Sequence, residues 1–165
     1  MVETEVTPFY SWIQDEEVIQ YSLSSFKEMR NDKDVDRWFK NTLEDSKSIN
    51  LGIHMSNSNQ LIGYAGLSGI SKLNRSAEYF IFIGEKPFWG KGIGTEVTNR
   101  ILRLAFGDFS LNRVMLTVSE LNIGGLRAYL KAGFKIEGRL MQASFRNGEF
   151  HDKIVMSVLK SKWEM

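Results

Sequence analysis

The stretch Glu85-Lys86-Pro87-Phe88-Trp89-Gly90-Lys91-Gly92-Ile93-Gly94-Thr95 decides how the rest of the chain is read. It follows an apolar run, Ala77 to Ile83, and opens into a helical pattern beginning near Thr95. Glycines at alternate positions leave one side of the backbone without side-chain bulk. A ligand can therefore approach main-chain N–H groups that join the unpaired donors of the helix start. With the helix dipole behind them, such donors form an anion site, most often for phosphate, and Lys91 adds a positive charge. A glycine-rich strand-to-helix turn without a ligand is the competing reading. A Rossmann fingerprint needs G-x-G-x-x-G, and counting from Gly90 puts Thr95 at the third glycine. A Walker loop needs G-x-x-x-x-G-K-[ST], and no glycine here is followed by Lys and then Ser or Thr. Neither common phosphate loop fits.

The 165 residues are read as one domain, 1–165, long enough to bury about two-thirds of its unfolded surface. A hydrophobic content of 42% with 25% charged residues is ordinary for a globular chain. A net charge of +1 gives no bulk electrostatic case for nucleic acid or a membrane surface. The absence of cysteine excludes disulfides, thiolate catalysis and zinc–thiolate sites. No secretory pattern opens the chain and no apolar run approaches a spanning helix, so a cytoplasmic protein is expected. His54 and His151 are isolated from acidic clusters, and no metal site is expected.

In chain order, residues 1–48 are mostly helical in character. Pro8 suits a first helical turn, with Phe9, Trp12 and Ile13 at helical spacing, and a second helix is expected from Asp34 to about Asp45. Lys27 to Asp36 reads as a solvated loop or helix margin. Trp12, Tyr21, Phe26 and Trp38 are candidates for a substrate groove, against the alternative that they are core. From Ile49 the period becomes two, and Ile49–Met55 and Gln60–Ile70 form a hairpin around Ser56-Asn57-Ser58-Asn59. Ser76 to Ile83 is a central strand, apolar on both faces from Tyr79 onward. Glu78 is its anomaly, a carboxylate either at the sheet edge in water or held for a reason; burial would raise its pKa toward the range of a general base. Val97, Ile101, Leu104 and Ala105 mark an amphipathic helix ending near Gly107. Arg113 to Val118 is a further strand, and strand–helix–strand of this length implies a right-handed crossover and parallel pairing. Asn122 is a good N-cap for a short helix with Ile123, Leu126 and Leu130 on its apolar face and Gly133 at its end. Phe134–Phe145 and Phe150–Leu159 close the chain as a hairpin around Asn147-Gly148.

Two of these stretches carry a family likeness. Trp89-Gly90-Lys91-Gly92-Ile93-Gly94 resembles the pyrophosphate loop of the GCN5-related N-acetyltransferases, [Q/R]-x-x-G-x-[G/A], with Trp89 in place of Gln or Arg. Asn122 to Phe134 resembles the second signature of that family, N-x-x-[AS]-x-x-x-Y-x-K-x-G-F, with Gly125 in place of the usual small residue. Glu137-Gly138-Arg139, Asn147-Gly148-Glu149, Asp152 and Met156 resemble its ribosomal-protein-alanine and spermidine acetyltransferase branch. The likeness runs from about Trp12 to the C-terminus. Only seven residues precede Pro8, which puts the family's first strand in doubt.

The resemblance implies an α/β (α+β) fold. Its sheet is mixed, mostly antiparallel and twisted, with six to seven strands, a parallel splayed central pair and about four flanking helices. It implies acetyl-CoA as cofactor, held by Phe82 and Ile83 on the first splayed strand, by Trp89 to Thr95, and by Asn122 and Lys131. Tyr129 is implied as the acid that protonates the departing thiolate, and Glu78 as base. The acceptor is a primary amine: a protein N-terminus, a polyamine or another small amine. Asp15, Glu16 and Glu17, with Trp12 and Trp38, are expected to border its entrance and attract a cationic amine, the alternative for the acidic run being a solvated helix face; a homodimer is compatible with the likeness. The rival reading is a non-catalytic acyl-CoA-binding sensor. A nucleotide phosphotransferase lacks its lysine and metal-carboxylate apparatus.

Overall fold

The computed structural model describes residues 1–163. The chain opens in helices. A 3₁₀ turn at Glu3–Glu5 leads into α1 (Thr7–Trp12), α2 (Glu16–Ile19), α3 (Ser24–Glu28) and α4 (Asp32–Glu44). Local chemistry punctuates this region. Pro8 lies in the first turn of α1, and the Asp15 carboxylate caps α2 by accepting from the amides of Glu17 and Val18. Asn31 accepts from Asp34 N and starts α4 two residues before the expected Asp34. Lys27–Asp36 is the solvated loop and helix margin expected: it holds the end of α3, three loop residues and the first turn of α4, and is mostly exposed. Phe26 is buried and packs edge-on against Trp38 and Phe82, at centroid distances of 4.8 and 5.2 Å, which folds its neighbours into α3. The described residues hold six α-helices rather than about four, because these caps divide the N-terminal region.

No strand precedes α1, so the sheet begins at β1 (Ile49–His54). It continues with β2 (Leu61–Ser71) and β3 (Ser76–Ile83), each antiparallel to the one before. The glycine loop then leads to α5 (Ile93–Phe106), β4 (Arg113–Ser119), α6 (Ile123–Lys131) and the hairpin of β5 (Lys135–Arg146) with β6 (Glu149–Leu159). Asn147 and Gly148 both adopt positive φ in the hairpin turn, the conformation an Asn-Gly pair favours. Among the described residues the six strands run β1-β2-β3-β4-β6-β5, and only the β3/β4 pair is parallel. Apolar residues on both faces of the sheet give it two cores. α5 and α6 cover one, around Tyr79, Leu102, Phe106, Val114 and Met156. α1 to α4 cover the other, around Phe9, Phe26, Val35, Phe39 and Phe82. β3 feeds both, as its run of apolar residues requires.

Candidate active site

The parallel pair does not stay paired. β3 and β4 are in register only where Ser76, Ala77 and Glu78 face Arg113, Val114 and Met115. Past that point each strand follows its other neighbour. β2 holds β3 as far as Ile83, and β6 holds β4 as far as Ser119. Their inner edges separate, and backbone groups of Tyr79–Ile83 and Leu116–Ser119 are left without a ladder partner across the gap. The gap is a cavity of about 320 Å³ lined by Glu78, Phe80, Thr117, Asn122 and Tyr129, with Arg146 from the hairpin.

At the end of the gap the chain turns into α5. Gly90 and Gly92 have φ of +71° and +83°, a region that side chains disfavour. An added Cβ at either position meets nothing within 4 Å, so this side of the loop is open. Gly92 caps α5 without a side-chain bond, and no described residue accepts from the amides of Gly92, Ile93, Gly94 or Thr95. A 14-residue helix aimed at these donors, with Lys91 exposed beside them, fits a pyrophosphate. Trp89 replaces the expected Gln or Arg contact with one of its own. Its indole N–H donates to the carbonyl of Ile83 at 2.9 Å and fastens the loop to the end of β3.

A second link joins loop and strand from inside. Thr98, fully buried, donates to Gly94 O at 2.6 Å and so accepts from the Tyr79 hydroxyl at 2.9 Å. Burial pushes the Tyr79 phenol well above the usual tyrosine range. Tyr129 stands edge-on to it at 6.1 Å, and Phe134 supports the same ring at 6.1 Å. Tyr129 is 9% exposed, and burial pushes its phenol to about 12. Its hydroxyl bonds to no described residue while the ring lines the cavity. Asn122 Oδ1 caps α6 by accepting from Gly125 N at 2.9 Å. A Cβ at 125 would lie 2.7 Å from Asn122 Nδ2, so the side chain of that cap would have to shift for any larger residue. The buried face of α6 is Leu126 and Tyr129 with Ala132. Ile123 and Leu130, expected on it, are about half exposed at 52% and 49%.

This arrangement is a strand splay beside an open phosphate loop, and the model of the acetyltransferase (GNAT) domain matches the chain over residues 1–135. The chain belongs to the GNAT family. It is accordingly an N-acetyltransferase with acetyl-CoA as its cofactor. An uncharacterized N-acetyltransferase of Bacillus subtilis (strain 168), YoaA, is 27% identical over 93% of this chain and 86% of its own. A spermidine N(1)-acetyltransferase of Vibrio cholerae is 35% identical over 62% of this chain and 59% of its own length. The fold is that of a solved spermidine N-acetyltransferase from Vibrio cholerae in complex with CoA and spermine. That likeness has a TM-score of 0.87 at 23% identity and covers 98% of this chain and 94% of the other.

Within the GNAT frame the expected residues divide. Gly90–Thr95, Ile83, Asn122, Tyr129 and Glu78 gather around the splay and its loop. Phe82 is 7% exposed with its ring in the α1–α4 core, so only its backbone is available to a cofactor. Lys131 lies in a second groove of about 490 Å³ with Asn99, Arg103 and Lys162. Of the two placements open to Glu78, the structure takes the solvent-facing one. It is exposed, because strand alternation turns it toward the cavity while Ala77 and Tyr79 turn into the core. Trp12 and Trp38 are corrected as groove residues. Trp12 is 4% exposed and donates to Glu85 Oε1 at 2.9 Å, and Trp38 packs on Phe9 and Phe26. The acidic run does not line the cavity: Lys86 Nζ lies 2.7 Å from Asp15 and 3.0 Å from Glu17, which offsets one of their two charges, and Glu16 is solvated. Lys86 also holds the Asp15 carboxyl below its usual range. Sequence reasoning missed Arg146, Lys153 and the Tyr79–Thr98 link. The spacing of four signals only Thr98's bond to the Gly94 carbonyl; its meeting with Tyr79 and the two cations had no local signal. No helix among the described residues is long and apolar enough to cross a membrane.

Proposed function

We propose that the protein transfers acetyl from acetyl-CoA to a small primary amine or a protein N-terminus, by direct attack with both substrates bound. The observation that carries this reading is the Tyr129 hydroxyl, protonated and free of protein partners, at the wall of the β3/β4 gap. Acetyl-CoA supplies the activated thioester. The amides of Gly92–Thr95 and Lys91 bind its pyrophosphate, and the unpaired edge of Tyr79–Ile83 aligns the pantetheine arm. Glu78, whose carboxylate faces the cavity, takes a proton from the amine directly or through water. The amine nitrogen bonds to the acetyl carbon as the carbon–sulfur bond breaks, and Tyr129 donates its proton to the departing sulfur. Glu78 or solvent returns a proton to the phenolate. The named spermidine acetyltransferase among the relatives supports a small-amine acceptor.

The test is release of free thiol from acetyl-CoA against a panel of primary amines, with the acetylated product identified by mass. Amine-dependent release is expected. Tight coenzyme A binding without release for any amine or N-terminal peptide would favour the sensor reading instead.

A further inference from the structure

The charges around the cavity are unequal. Its lining carries one carboxylate, Glu78, and two cations, Arg146 and Lys153. All three share one face of the sheet. Register places Glu78 beside Met115, Lys153 beside Ser119, and Arg146 two positions beyond Ser144 on the adjoining strand. Met115 and Ser119 are four residues apart on β4, so the anionic and cationic ends of the cavity are separated by roughly 13 Å of strand.

Neither cation has an acidic partner among the described residues. The Arg146 guanidinium reaches only the carbonyls of Ser22 and Phe145, each at 3.4 Å, and the Lys153 ammonium makes no hydrogen bond or ion pair with a described residue. Both are half-buried, where an unpaired charge is weakly screened. The other charged groups nearby are accounted for. Glu120 and Asp152 both bind Arg139 at 2.8 Å, and Asp152 alternates away from Lys153. Glu149, opposite Arg146, is exposed and lies 4.0 Å from the half-buried His151. A polyamine in this cavity would meet two like charges and a single carboxylate.

We propose that the acceptor amine also carries a carboxylate, which Arg146 and Lys153 hold while the amine sits toward Glu78 and Tyr129. This rests on the acetyltransferase reading and names its substrate class: a small amino acid or short peptide with amine and carboxylate several bonds apart. The cations act in specificity and positioning. They recognise charge at one end, whereas Tyr129 serves the chemistry at the other.

Three amines of one chain length test it: 5-aminopentanoate, pentylamine and 1,5-diaminopentane, at fixed ionic strength. Thiol release should give kcat/KM in that order, with aminopentanoate favoured over the diamine by tenfold or more, mainly through KM. In Lys153→Met and Arg146→Met the ratio of aminopentanoate to pentylamine should fall toward one. Calorimetric binding of the same three compounds to the coenzyme A complex should follow the same order, and it decides the matter even if none is turned over. Preference for the diamine in either assay, or an unchanged ratio in both variants, would overturn the assignment. Failure of thiol release with every amine, alongside carboxylate-selective binding, would count against the transfer reading alone.

Discussion

Replacing Tyr129 with phenylalanine isolates one hydroxyl. The ring contacts with Tyr79 and Phe134 survive, and no protein hydrogen bond is broken, since the hydroxyl has no partner among the described residues. Stability should therefore change by less than about 0.5 kcal/mol, the range of a substitution that opens no cavity and orphans no group. Catalysis should not be spared. A phenol near 12 is fully protonated at neutral pH, yet it is a weaker acid than a thiol of reference pKa ~8.5. Complete transfer to sulfur is therefore uphill, and the hydroxyl acts first as a hydrogen-bond donor to the charge developing there. A hydrogen bond to a charged group is worth about 1.5–3 kcal/mol, or roughly 10- to 150-fold in rate. General-acid catalysis spans about 10²- to 10⁴-fold, and the two ranges meet near 10². Tyr129→Phe should lower kcat by about 10²-fold and leave coenzyme A affinity within a few-fold. Single-turnover thiol release, with calorimetry and thermal unfolding alongside, separates these quantities. Because burial raises the phenol, any alkaline limb between pH 8 and 10 should persist in the variant. An unchanged single-turnover rate would show that water or another group protonates the sulfur.

Glu78→Gln keeps the shape and removes the proton acceptor, so kcat/KM should fall by about 10²-fold or more with a changed acid limb; wild-type rates below neutrality would leave Glu78 without a catalytic part. Gly92→Ala places a side chain at φ +83°, so denaturant unfolding should show a loss of about 1–2 kcal/mol from left-handed strain. Coenzyme A affinity should weaken beyond that, and equal affinity in the folded variant would remove the loop from the site. Glu137 is held at about 2 by Arg113, which it meets at 2.7 and 2.5 Å, and by Ser157 at 2.6 Å. A depressed carboxyl stabilises the fold above its ordinary value near 4.5 and loses that contribution as pH falls through about 2. The pair is partly exposed, so screening holds the effect to about 1 kcal/mol. Unfolding titrations should show Glu137→Gln destabilised at pH 7 and converging on the parent toward pH 2, and a pH-independent difference would refute the linkage.

The sequence was most legible where function or folding rests on backbone conformation and short spacing. Gly90 and Gly92 announce the loop because only glycine is comfortable at their φ. Asn122 and Tyr129 lie seven residues apart on one helix, so their order survives any packing. The alternation of β1 and β2 and the Asn147-Gly148 turn follow equally from local geometry.

The remainder is non-local. Whether an aromatic such as Trp12 lines a groove or fills a core depends on Phe9 and Phe82 arriving beside it from distant elements. The fate of Asp15 and Glu17 depends on Lys86, about seventy residues later. Spacing put Glu78 on the central strand and left its surroundings open. Divergence of β3 from β4 just beyond it exposes the carboxylate to the cavity. Arg146 and Lys153 gave no local signal, because a cation's role is set by what faces it across the sheet. Helical and strand periods, caps and glycine conformations are short-range physics and belong to the sequence alone. The splay, its charge balance and the partners of each ionisable group arise only when strands remote in the chain pair on one edge and part on the other.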